Sequence, residues 1–257
     1  MSILFEEMTR EEIREVAPTA TAVLPTAAIE QHGPHLPVCT DAVLCGTVAR
    51  QAAARANERA PIVVAPTLQF GNSHHHYPFP GVLSFRTTTY VGAVTDVLEG
   101  LSRSGFKRLV VLNGHGGNCN PNGLVGQDFV NRLGNPAAVA TGDYWNIAGE
   151  ALTGVMPSPV IPGHAGRFEA ALMMAIRPDL VNGEALDAMS GQVHDDAGLD
   201  VGLSGAVVQV HGEWQAGVGY TDNPADATVE DGQAMLEIIV SKVSDFFVAF
   251  HRSKHPV

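Results

Sequence analysis

The sequence predicts an α/β fold, a mainly parallel central sheet with helices on both faces, and three observations carry that prediction. Segments with helical spacing alternate along the chain with short apolar runs rich in β-branched residues. Those runs are apolar almost throughout, as strands covered on both faces must be. No internal repeat, low-complexity tract or charge block marks a linker in the 257 residues, so one domain, 1–257, is expected. A hydrophobic content of 45% is enough for a continuous core in a chain of this length.

In chain order, TREEIREV (9–16) is expected to be helical and TAVLPTAAI (21–29) extended. AVLCGTVARQAAARA (42–56) has helical composition and spacing, and PIVVAPTL (61–68) reads as the second strand. TYVGAVTDVLEGLSRSG (89–105) is a helix stopped by glycine, and KRLVVLN (107–113) is a buried strand. Residues 123–133 suit a helix, AAVATG (137–142) a fourth strand, and RFEAALMMAI (167–176) a helix halted at Arg177-Pro178. The halt is steric, because proline pushes the residue before it out of the helical region. Across 226–252, Met235, Leu236, Ile239, Val243, Phe246, Phe247 and Phe250 recur with amphipathic-helix spacing.

Fifteen Lys plus Arg against 27 Asp plus Glu give a formal charge of −12, which repels phosphate backbones and anionic lipid surfaces. Nucleic acid and membrane partners are therefore not expected. The first residues, MSILFEEMTREEIREV, lack a basic region followed by an apolar one, and no stretch approaches the ~20 apolar residues of a span. A soluble cytoplasmic protein is expected. Cys39, Cys45 and Cys119 are odd in number and contain no CxxC pair, so they read as small hydrophobes rather than a disulfide framework or thiolate zinc cage.

Ligand sites in such sheets lie beyond the carboxyl ends of the strands, and four loops there concentrate the ionisable residues: IEQHGPHLPVCTD (29–41), FGNSHHHYPFPG (70–81), NGHGGN (113–118) and PGHAGRFE (162–169). They hold seven of the 11 histidines, namely His32, His35, His74, His75, His76, His115 and His164, which scattered surface histidines would not give. Glu30 and His32, two apart, point to the same side of an extended segment and form a two-ligand unit. Gly33, Pro34 and Pro37 stiffen the backbone leading to Asp41, which suits a carboxylate that bridges two ions and must not rotate away. His115, flanked by glycines that allow close backbone approach, is a ligand from a third loop. Imidazoles with several carboxylates suit zinc, manganese or iron(II) better than calcium.

With these residues in place, the chain resembles the creatininase family of metal-dependent hydrolases, whose hallmark is Glu-x-His-Gly-Pro-His-Leu-Pro followed by a ligand Asp, matched closely at residues 30–41. GNSHHHYPFPG, NGHGGN, HAGRFE and, more weakly, GVGYTDNPADAT (217–228) look like the family too, so the resemblance covers most of the chain. It implies a creatininase-like three-layer α/β/α fold and two divalent ions per chain, zinc and/or manganese or else iron. The implied metal ligands are Glu30, His32, Asp41 as the bridge, and His115. Creatininase carries a metal-binding Glu where this chain has Gly117, and Glu169 is the candidate for the missing carboxylate. Val82 stands where the family usually has Thr. His164 is implied as the catalytic acid/base, with a pKa near the operating pH.

His76, matching the family, is expected to line the pocket or a subunit interface; His74, His75 and His76 stay outside the ligand set, since a triple histidine can be an adventitious metal patch. Trp145 and Trp214 are expected to close over substrate or to pack in the core. Arg167 is expected to recognise a substrate carbonyl or hydroxyl. Asn113 and Asn118 are expected to hold the third loop or orient ligands.

Three carboxylates reduce the charge of two divalent ions to a single positive unit, which favours deprotonation of bound water. The resemblance thus implies a metal-bridging hydroxide that attacks a carbonyl and opens a small polar cyclic substrate. That substrate is a cyclic amide or a cyclic diketone such as a dehydro-inosose, cleaved at a C–C bond. Formamide or peptide amide hydrolysis is the alternative within the family. Metal-dependent aldolase or isomerase chemistry, and a non-catalytic metal- or ligand-binding role, are the rivals outside it. Only Arg86 and Arg167 lie near the loops, which favours an uncharged polar substrate. The resemblance also implies a homo-oligomer, often a hexamer.

Overall fold

Four short segments, Thr21–Thr26 (β1), Ile62–Val64 (β2), Arg108–Asn113 (β3) and Ala138–Asp143 (β4), pair in parallel in the order β2-β1-β3-β4. The computed structural model describes residues 2–155, 161–190 and 217–254. Successive strand residues face opposite sides of the sheet. Val23, Ile62, Val64, Val110 and Leu112 join one core; Ala22, Leu24, Val63, Leu109 and Val111 join the other. This is why the strands lack a polar face.

Among the described residues the helices are Arg10–Val16 (α1), Thr40–Ala56 (α2), Thr87–Arg103 (α3), Cys119–Gln127 (α4), Tyr144–Leu152 (α5), Arg167–Ile176 (α6), Gly183–Asp187 (α7) and Val229–Arg252 (α8). One core takes α2, α5, α6 and α8, the other α3 and α4, giving the expected three layers. α1 begins with a capping box, Thr9 accepting from the Glu12 amide while the Glu12 carboxylate accepts from the Thr9 amide. Thr228 caps α8 by accepting from the Asp231 amide.

The second strand ends at Val64 rather than 68, because Pro66 has no amide to donate to the ladder; Leu68 still bridges Thr26. The helix expected over 123–133 starts earlier, at Cys119, and closes in a π-turn, Asp128–Arg132. α5 was not anticipated. β1 leads to β2 on one side and β3 lies on the other, so the strand order reverses between β1 and β3. A crevice opens beyond the carboxyl ends of two such strands, and there the histidine-bearing loops converge.

Candidate metal centre

Glu30 and His32 leave the end of β1 in a segment pinned on both sides. Ile29 bridges Leu83 and His32 bridges Leu36 across a turn in which Gly33 takes φ 64, a conformation that costs glycine little. Asp41 sits in the first turn of α2, so a helix rather than a loop fixes its carboxylate. His115 follows β3, its amide donating to Asn113 Oδ1 (3.1 Å). Glu169 lies in the first turn of α6, its carboxylate accepting from the Ala165 amide at 2.5 Å.

These four elements bring five side chains together, all buried. Asp41 Oδ1 is 3.1 Å from His32 Nε2, and Asp41 Oδ2 is 3.0 Å from His115 Nδ1. His32 Nε2 is also 3.6 Å from Glu169 Oε2, while His115 Nδ1 is 3.2 Å from Glu30 Oε1. Asp41 thus stands between two donor sets, one on each oxygen. Donor atoms of His32, Asp41 and Glu169 lie within 4.8 Å of one another, as do those of Glu30, His75 and His115.

The far ring nitrogens are committed to main-chain oxygens: His32 Nδ1 lies 3.1 Å from Glu30 O, and His115 Nε2 lies 3.0 Å from Asn72 O. A neutral imidazole that donates from one nitrogen turns a lone pair outward from the other. Those lone pairs face carboxylate oxygens, a repulsive arrangement unless a cation, proton or metal, stands between. Asp41 Oδ2 has no well-aligned hydrogen-bond donor despite the proximity of His115. Histidines anchored through the second nitrogen, opposite buried carboxylates, fit a divalent metal.

The electrostatics follow. Burial alone would lower His32, but Asp41 and Glu169 outweigh it and raise its pKa to about 10. His115 is likewise raised despite burial, by Glu30 and Asp41. Burial would raise Glu30, yet the imidazoles of His115, His76 and His164 hold it below the usual carboxylate range. Burial pushes Glu169 up to about 8, more than His32 offsets.

His164 borders the cluster, Nδ1 3.5 Å from Glu30 Oε1. Its pKa lies well below the ordinary imidazole value, through burial first and then the adjoining His32 and His76; the sequence-based expectation put it near the operating pH. His76 is buried, its ring stacked on His164 at 4.0 Å and its Nε2 3.6 Å from Glu30 Oε1. Trp145, in the first turn of α5, is 5% exposed and borders the same cavity of about 270 Å³ as Glu30, Asp41, His115, His164 and Glu169. Arg167 departs from expectation. It pairs with Asp231 on α8 at 2.7 Å and is not among the cavity-lining residues. Asn113 ties the third loop to β4 through Asp143 (2.7 Å), and Asn118 donates to Ala27 O (3.1 Å). Trp214 lies outside the described residues.

A family model described as creatininase, creatinine amidohydrolase, matches residues 6–247. The chain belongs to the creatininase family. It is 34% identical over 232 residues to a mycofactocin precursor peptide peptidase of Mycolicibacterium smegmatis, covering 87% of this chain and 82% of the relative. To the creatinine amidohydrolase of Pseudomonas putida it is 32% identical over 186 residues, 66% of this chain and 70% of that one. Its fold superposes on a crystal structure of creatininase with a TM-score of 0.83 at 27% identity, covering 98% and 99% of the two chains. A creatininase variant described as of Zn–Zn type matches with a TM-score of 0.80 at 26% identity, covering 96% and 97%. The chain is thus a creatininase-family hydrolase, and its buried Glu, Asp and His cluster supports a divalent metal.

Three groups around the centre, Gln31, Ser73 and Thr221, escaped the sequence reading. Gln31, between the two expected ligands, has its amide nitrogen 2.7 Å from Gly219 O and 3.1 Å from His76 Nδ1, acceptors for its two hydrogens, and 2.9 Å from His164 Nε2. The Ser73 hydroxyl donates to Glu30. The Thr221 hydroxyl accepts from the His164 amide at 2.8 Å. His35 Nε2 lies 2.8 Å from Ala165 O and ties the first loop to the fourth, a structural role rather than a ligand. Only Gln31 carried a usable signal, a polar residue wedged between two ligands.

Proposed function

We propose that the chain is a divalent-metal-dependent hydrolase that attacks a carbonyl and opens a small polar cyclic substrate, a cyclic amide or a cyclic diketone. The observation that carries the proposal is Asp41, whose two oxygens face His32 and His115 with Glu169 and Glu30 behind them. Glu30, Asp41 and His115 would hold one ion, and His32, Asp41 and Glu169 the other. Bound divalent ions supply polarisation of the carbonyl and acidification of water.

His164 is the catalytic base in this reading. With Nε2–H donated to the main-chain oxygen of Gln31 at 2.9 Å, Nδ1 is the nitrogen turned toward the cluster. A neutral ring there takes a proton from the attacking water and returns it to the leaving nitrogen or enolate carbon. His76 and Trp145 wall the cavity, and walls that keep water from the reacting groups strengthen electrostatics between them. No Lys or Arg lines the cavity among the described residues, which supports an uncharged polar substrate. A volume of about 270 Å³ suits a small ring.

Likeness to the mycofactocin precursor peptide peptidase favours a second reading, cleavage of a peptide amide. Turnover of a panel of cyclic amides, formamides, keto-inositols and short peptides in ¹⁸O-water tests both. One labelled oxygen per product is expected with one class of substrate. Turnover without label would put aldolase or isomerase chemistry in place of hydrolysis.

A further inference from the structure

We propose that His75 is a metal ligand of this chain, a second imidazole beside His115 on the ion held by Glu30. The inference rests on the two-ion reading above. Donor atoms of His75, Glu30 and His115 lie within 4.8 Å of one another, a spread that small side-chain adjustments close onto one ion. The His75 ring runs parallel to that of His115, with centroids 5.7 Å apart and planes 9° apart, and it lines the same cavity.

The loop that carries His75 is fastened to the centre at three points. Asn72 O lies 3.0 Å from His115 Nε2, the Asn72 amide donates to Asn118 Oδ1 at 2.9 Å, and the Ser73 hydroxyl donates to Glu30. His75 itself belongs to a single 3-10 turn, His74–His76, whose position those fastenings set.

Gly117 gives an independent reason. A Cβ there would stand 2.1 Å from Asn72 O, 2.6 Å from His115 Nε2 and 3.2 Å from His75 Cε1. The first contact is with backbone and cannot be relieved by a rotamer change, so a side chain at 117 requires the loop that carries His75 to shift. A glycine on the third loop and an imidazole from the second are therefore one arrangement. A neutral ring delivers a donor without adding negative charge, and a centre richer in imidazole leans toward zinc over magnesium or calcium.

Calorimetric titration of the metal-free protein with Zn²⁺ tests this, with metal-free circular dichroism melts to establish that each variant folds. The wild-type chain should take up two ions. His75→Ala should weaken one of them by about 10- to 100-fold or more, and free imidazole should restore part of the loss. Gly117→Ala should weaken the same ion, whereas His74→Ala should change neither by more than about twofold. Two ions bound to His75→Ala at wild-type affinity would overturn the proposal while leaving the two-ion reading intact. Equal losses in His74→Ala and His75→Ala would reduce the three histidines to an adventitious patch. A wild-type chain that binds no ion would end both.

Discussion

On one side of Asp41, which begins α2, His32 meets Glu169 in the first turn of α6; on the other, Glu30 and His115 depend on loops fastened to one another by Ser73, Asn72 and Asn118. The two sides also differ in charge. Burial lifts Glu169 to about 8, while nearby imidazoles hold Glu30 below the usual carboxylate range. The same ligand types, a carboxyl and an imidazole sharing Asp41, thus meet a metal ion with different proton affinities.

The largest effects should come from breaking either side alone. Glu30→Gln and Glu169→Gln should each lose one ion and reduce turnover roughly 100- to 1000-fold, the scale of removing one charge-stabilising group from an active site. Elemental analysis of the two purified variants beside steady-state kinetics checks this, and loss of both ions from either would make the two sides one cooperative unit.

Protonation separates the sides more finely. The ion on the Glu169 side competes with protons held by the Glu169–His32 pair, both raised by their surroundings, and the ion on the Glu30 side competes with the proton on His115. Affinity on both sides should therefore rise with pH, more steeply on the Glu169 side, where a raised carboxyl adds to a raised imidazole. Titrations in buffers of different ionisation enthalpy count the protons directly.

Asn118→Ala should act on the loop-built side. It leaves Ala27 O and the Asn72 amide unpaired in a buried place, at a cost of about 1 to 3 kcal/mol in a denaturant melt. The smallest effect is expected from Arg167→Ala. It loses a partly exposed ion pair with Asp231, about 0.2 to 1 kcal/mol. KM should not change, and a large rise in KM would return Arg167 to the substrate.

Glu30, His32, Asp41 and His115 were legible in the sequence as ionisable residues clustered in loops that follow strands, and Glu169 through the family resemblance; all five are buried and meet in space. Strands and long helices were legible through apolar runs and helical spacing. What stayed hidden depends on tertiary approach. Gln31 reads as a spacer until it is seen between two imidazoles, and Gly117 reads as loop freedom until Asn72 O is found against it. α5 drew no assignment from the sequence, and its Trp145, Ala148 and Leu152 face is buried against the core. Arg167, adjacent in sequence to the site, turns away because Asp231 on a distant helix claims it.

Asp41 has to serve both sides at once, and the metal content of Asp41→Ala tests that most directly. After reconstitution with Zn²⁺, the wild-type chain should hold about two ions and the variant close to none, with the variant's fold intact by circular dichroism. A variant that keeps both ions would contradict the bridge.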